Sequence, residues 1–125
     1  MDIHNLELEV SCYATALYHE VNNRTLEEKL GVYYTIHNRV KSGRWGKSVC
    51  DVIYASGQFA VQDEKHAPVD KVTFLKTELF VLDVMRGKYA NPVANALYFH
   101  DDSIMPKHSW FGHKKITHIG RMVFY

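Results

Sequence analysis

A carboxyl group at the end of an apolar helix, just ahead of a polar break, is placed to do acid chemistry. Glu20 has that setting: it closes Tyr18-His19-Glu20 and is followed by Val21 and the polar residues Asn22, Asn23 and Arg24. Apolar surroundings raise a carboxyl pKa, and a general acid needs this to hold its proton near neutral pH. The plainer alternative is a solvated helix-end glutamate, and spacing alone favours it, because acids at helix ends are common. Gly57-Gln58-Phe59 sets a turn glycine beside an amide that donates and accepts and a ring able to stack on a sugar face. A plain turn with a core phenylalanine fits those residues equally well. Tyr98, His100 and Trp110 offer amphipathic groups to line a carbohydrate groove, although strand aromatics usually serve packing. Asn38 and Arg39 either order the acid and its surroundings or cap and pair internally.

Metal and thiol chemistry have less footing. The chain has eight histidines, but the spacing of five in His108, His113 and His118 fits neither one helix face nor one strand face. A zinc protease would show H-E-x-x-H, whereas His19-Glu20 is followed by Val21, Asn22 and Asn23. Cys12 and Cys50 lack metal-like spacing and read better as free buried cysteines than as a disulfide, with Cys50 and a distant histidine as the remaining thiol alternative. No metal and no organic cofactor is expected.

Several elements must position these groups. Apolar residues at Leu6, Val10, Tyr13, Leu17 and Val21 predict an amphipathic helix over 6–21, with Asn5 as its cap. Thr25 and Glu28 form a capping-box pattern for a second helix that runs to Ser42 and stops at Gly43, burying Leu30, Val32, Tyr33, Ile36 and Val40. Residues 51–54 suit a helical turn, 55–57 a bend and 58–61 a short extended segment. A third long helix is predicted over 72–85, with Val72, Leu75, Leu79, Leu82 and Val84 as its face and an end near Gly87. Residues 96–99, 115–119 and 122–125 are short, aromatic and β-branched, and read as small strands separated by a loop with Pro106 and Gly112. The outline is a single α+β domain spanning 1–125, mainly helical, with a small antiparallel sheet.

Fifteen basic and fourteen acidic residues give a net charge of +1 and no basic run, so neither nucleic acid nor an anionic membrane is an expected partner. No stretch reaches about 18 apolar residues, and residues 1–10 lack a basic and then apolar leader, which predicts cytoplasmic synthesis without a signal peptide and no membrane insertion. A monomer is expected.

Four ordered blocks give the chain a resemblance to a known family. Residues 18–42, YHEVNNRTLEEKLGVYYTIHNRVKS, are similar to a pattern of Tyr-x-Glu, a polar turn and a helix ending in Asn-Arg-Val. The second block is Val49-Cys50-Asp51-Val52-Ile53-Tyr54 with Gly57-Gln58-Phe59. The third is Ala96-Leu97-Tyr98-Phe99-His100 with Pro106 and Trp110, and the last is Thr117, Ile119-Gly120 and Val123-Phe124-Tyr125. In this order they resemble the SleB/CwlJ cell-wall hydrolases, which degrade peptidoglycan and spore cortex. The chain departs from the family at Arg24, where a second acid is usual, and at Met122, where a histidine is common.

The resemblance implies a lysozyme-like α+β fold, Glu20 as the catalytic residue, and Asn38, Gln58, Phe59, Tyr98, His100 and Trp110 as substrate contacts. It implies cleavage of the MurNAc-GlcNAc strand, with peptidoglycan glycan as the partner. Most glycosidases use two carboxyl groups. Asp51, Asp63, Glu64, Asp101 and Asp102 are candidates for a second, but none is placed opposite Glu20 by its sequence context. A single acid suits a lytic transglycosylase that leaves 1,6-anhydro-muropeptides. The alternatives are a hydrolytic muramidase and a non-catalytic peptidoglycan-binding or structural module of a virion. A phage endolysin, acting on the wall from the host periplasm or carried there by a virion, is the expected biological setting.

Overall fold

The computed structural model describes residues 3–55, 70–104 and 114–125 of the 125-residue chain. Among the described residues four helices come first: α1 (Ile3–Val21), α2 (Leu26–Ser42), α3 (Val49–Tyr54) and α4 (Lys71–Met85). Three strands of the described residues follow, β1 (Phe99–Asp101), β2 (Thr117–Ile119) and β3 (Met122–Phe124), in an antiparallel sheet of order β1-β3-β2. This is the helix-dominated α+β domain that the residue patterns predict.

α1 is the central helix and packs against α2, α3 and α4. Val10, Tyr13, Leu17 and Val21 are buried, as their three-or-four spacing requires. The helix is already formed at Ile3, so Asn5 lies in its first turn and does not cap it. α2 begins at the predicted box: the Thr25 hydroxyl accepts the Glu28 N–H at 3.2 Å, and the Glu28 carboxylate accepts the Thr25 N–H at 3.1 Å. It ends where Gly43 donates its N–H to the carbonyls of Arg39 and Val40. The Tyr34 hydroxyl donates to the Tyr89 carbonyl at 2.9 Å and ties this helix to the segment after α4.

Two further expectations are overturned. Cys12 and Cys50 form a disulfide between α1 and α3, with their Cα atoms 5.3 Å apart. Helix packing sets that distance, which falls in the range a disulfide spans, and a separation of 38 residues in sequence gives no hint of it. Any inference about compartment from reduced thiols therefore loses its support. In α4, Val72, Leu75 and Leu79 are more than half exposed, and Val81 and Val84 are the buried residues. Apolar residues occur on more than one side of this helix, so periodicity does not choose a face; packing against α1 does.

β3 is the middle strand and is buried along its length. Phe124 is fully buried and lies against Gly31 of α2, where an added Cβ would come 2.4 Å from the ring tip. That glycine is required by the close approach of strand to helix. The first strand starts three residues later than predicted because Leu97 and Tyr98 both donate their N–H groups to the Tyr125 carbonyl before regular pairing begins at Phe99. The expected extended segment at 58–61 and the Pro106 and Gly112 loop lie outside the described residues.

Candidate active site

Glu20 is half-buried in the last turn of α1. The chain then leaves the helix in a tight turn, in which Arg24 donates its N–H to the Val21 carbonyl at 3.0 Å, and re-enters α2 at Thr25. The acid therefore stands on a rigid element, with its backbone fixed on both sides.

Four residues beyond Glu20, Arg24 ties this turn to the sheet. Its guanidinium donates to the Glu28 carboxylate at 3.1 Å, forms a close ion pair with Asp101 at the end of β1, and approaches the Met122 sulfur at 3.8 Å. Glu28 is 3% exposed and also accepts the Arg121 N–H at 3.2 Å. Burial pushes its pKa up, but the N–H groups of Thr25 and Arg121, the Thr25 hydroxyl and Arg24 outweigh burial, and the net shift is down. Asp101 is held far below the usual carboxylate range by the Ser103 hydroxyl and N–H, and then by Arg24. Gly120 completes the junction. Its φ of +57° turns the β2–β3 hairpin, and a Cβ there would meet the Glu28 carboxyl carbon at 2.8 Å.

The sequence-predicted contacts fall into two groups. Asn38 donates both amide protons inward, to the carbonyls of Ala94 (2.9 Å) and Ala96 (3.0 Å), and so fixes the approach to β1. Its neighbour Arg39 is 2% exposed, donates to the Leu97 carbonyl at 2.7 Å, and lies over the rings of Trp45 and Tyr98. Burial brings this guanidinium down to about 10, against the opposing influence of Tyr98. Tyr98 is half-buried and lines an open pocket of about 260 Å³ with Tyr125 and Lys114. His100 stacks on Tyr125, with Nε2 2.8 Å from its hydroxyl and Nδ1 2.7 Å from the Asp101 carbonyl. Asn38, Tyr98 and His100 thus belong to one strand-end assembly, joined to the Glu20 turn through Asp101 and Arg24. Gln58, Phe59 and Trp110 lie outside the described residues.

Of the candidates for a second carboxylate, Asp101 is already engaged by Arg24 and Ser103, Asp51 and Asp102 are exposed, and Asp63 and Glu64 lie outside the described residues. Asp102 sits 3.1 Å from His118. Among the described residues, no three His, Cys, Asp or Glu side chains gather as a metal site. Local patterns give no sign of the partners of Arg24, of Tyr125 beside His100 or of the stack of Arg39 on Trp45 and Tyr98, although internal pairing is one of the two roles expected of Arg39. Only Glu28 carried a local signal, its place in the capping box.

The chain matches the Cell Wall Hydrolase family over residues 23–125, a range that starts three residues after Glu20. It is similar to the catalytic domain of the germination-specific lytic transglycosylase SleB from Bacillus anthracis, with 27% identity and a TM-score of 0.74, covering 93% of this chain and 92% of that one. It is also similar to the catalytic domain of the Bacillus cereus SleB protein, with 26% identity and a TM-score of 0.76 over 94% and 89% of the two chains. No curated sequence shows significant similarity to it. With the family matched over more than four-fifths of its length, the chain belongs to the Cell Wall Hydrolase family.

Proposed function

We propose that this protein cleaves the MurNAc-GlcNAc glycan strand of peptidoglycan as a lytic transglycosylase, with Glu20 acting first as acid and then as base. The observation that carries the reading is the likeness, over nearly the whole of both chains, to a catalytic domain described as a lytic transglycosylase. The ionised, charge-paired state of Asp101 supports a one-carboxyl mechanism, because a carboxylate already engaged by Arg24 and Ser103 is a poor base and a poorer nucleophile. Glu20 protonates the glycosidic oxygen as the bond to the MurNAc C1 breaks. The resulting carboxylate takes the proton from the 6-hydroxyl of the same sugar, whose oxygen closes onto C1. The products are a 1,6-anhydro sugar and a free 4-hydroxyl on the departing GlcNAc, and no water is consumed.

Gln58, Phe59, Tyr98, His100 and Trp110 form the substrate-contacting part of this proposal. In it, Tyr98 and His100 meet the glycan, and Asn38 acts by holding their strand in place. The protein works as a monomer at the cell wall, in the manner of a phage lysis enzyme that reaches the wall from the host periplasm or with a virion. No described helix is long and apolar enough to cross a membrane.

Mass spectrometry of the soluble fragments released from purified peptidoglycan tests the mechanism. Anhydro-muropeptides from the wild type, and none from a folded Glu20→Gln variant, are expected. Reducing-end muropeptides, one water heavier, would replace transglycosylation with hydrolysis. Wild-type-level release by Glu20→Gln would remove Glu20 from the chemistry.

A further inference from the structure

A second groove, of about 420 Å³, opens between the α1–α2 turn and α4, and it begins at Asn22, two residues beyond Glu20. Lys29 of α2 stands in one wall and Lys76 of α4 in the other. Among the described residues neither ammonium forms an ion pair. Asp70, near Lys76, caps α4 and accepts the N–H groups of Val72 (3.0 Å) and Thr73 (3.2 Å). Leu26 and Phe80 supply apolar surface, and Asn22 and Asn23 supply amides that donate and accept. Two ammonium groups from two different helices in one groove, with amides and apolar side chains in the same lining, suit a short anionic peptide with small side chains. They suit a neutral sugar less well.

In peptidoglycan the lactyl group of MurNAc is amidated, so the carboxylates of the polymer lie on its peptide stems, which hang from the sugar whose C1 bond is cut. We propose that the groove binds the carboxylate-bearing peptide stem of that MurNAc, with Lys29 and Lys76 as its anion contacts. This makes the enzyme selective for stem-bearing glycan, and it rests on the glycan-cleaving reading above.

The test compares wild type with the double variant Lys29→Gln, Lys76→Gln on intact peptidoglycan and on glycan stripped of its stems by an amidase. The ratio of kcat/KM on stem-bearing to stem-free strands should fall about tenfold in the double variant, the scale of two partly exposed charge contacts. In the wild type that ratio should also fall as salt is added. A ratio equal to that of the wild type, or equal losses on both substrates, would overturn the proposal. Calorimetric titration of a free anionic stem tetrapeptide into the intact wild-type protein, Glu20→Gln and the double variant reads the groove without catalysis. Binding by the first two and its loss in the third is expected, and equal binding or no binding by all three would overturn it. If wild type cleaves neither substrate, the glycan-cleaving reading fails, and the titration still decides whether the groove takes the stem.

Discussion

At the scale of single residues, the junction around Arg24 shows how the fold uses an unusual side chain. Removing Arg24 leaves Glu28 and Asp101, whose side chains are 4% and 12% exposed, without their shared cation. Breaking a buried pair costs far more than losing a surface pair. Arg24→Leu is therefore expected to lower stability by about 2–4 kcal/mol, whereas Arg86→Leu, at an ion pair on the surface, should cost far less. Urea unfolding of the two variants checks this, and equal losses would show that Arg24 is not central. Half of this junction was legible in advance. Thr25 and Glu28 announce their bond because they are three residues apart, but Asp101 lies 77 residues from Arg24, and no local pattern records that partnership. Tyr98 and His100 were legible as chemistry-bearing types, while the partner that orients His100, Tyr125, was hidden for the same reason.

At the scale of elements, the helices and strands follow from spacing, and the exceptions arise where tertiary packing makes the choice. α2 needed nothing beyond its caps and its apolar stripe. α4 carries leucines and valines on several sides, so only its contact with α1 determines which are buried. The disulfide belongs to this scale because it joins α1, which bears Glu20, to α3. Closing a loop of 38 residues should stabilise the fold by about 3–4 kcal/mol through the unfolded chain. Thermal melts with and without a reductant, and of Cys12→Ala with Cys50→Ala, should show both forms unfolding well below the oxidised protein; coincident melts would contradict this. The contact of Gly31 with Phe124 offers a second test. Gly31→Ala would gain helix propensity of about 1 kcal/mol, but overpacking against the fully buried ring costs about 1–3 kcal/mol. Net destabilisation is expected in Gly31→Ala, relieved when Phe124→Leu is added, and a double-mutant cycle measures the coupling.

For the whole molecule, the titrating groups set a direction for stability against pH. Asp101 and Glu28 have folded pKa values below their unfolded ones, so their contributions are complete above the ordinary carboxylate range and are lost as pH falls through it. His37 is also lowered, by burial and then by Lys41, so its neutral form is favoured and its contribution is lost as pH drops below its ordinary value near 6.5. The unfolding midpoint should be level between about pH 7 and 9, begin to decline near 6 and fall more steeply below about 5. A midpoint that rises between pH 6 and 4 would contradict these assignments.

The junction of Arg24, Glu28, Asp101 and Arg121 also has a meaning in time. Its bonds join residues 77 and 93 positions apart, whereas the turns and caps of the helices close within three or four. Long loops lose their entropy before any contact rewards them, so local helices are free to form first and such bonds come late. The helical scaffold is therefore expected to exist before the strand bearing Tyr98 and His100 settles against it. A chain caught halfway through folding would hold Glu20 on a formed helix while the strand proposed to meet the glycan is still unplaced.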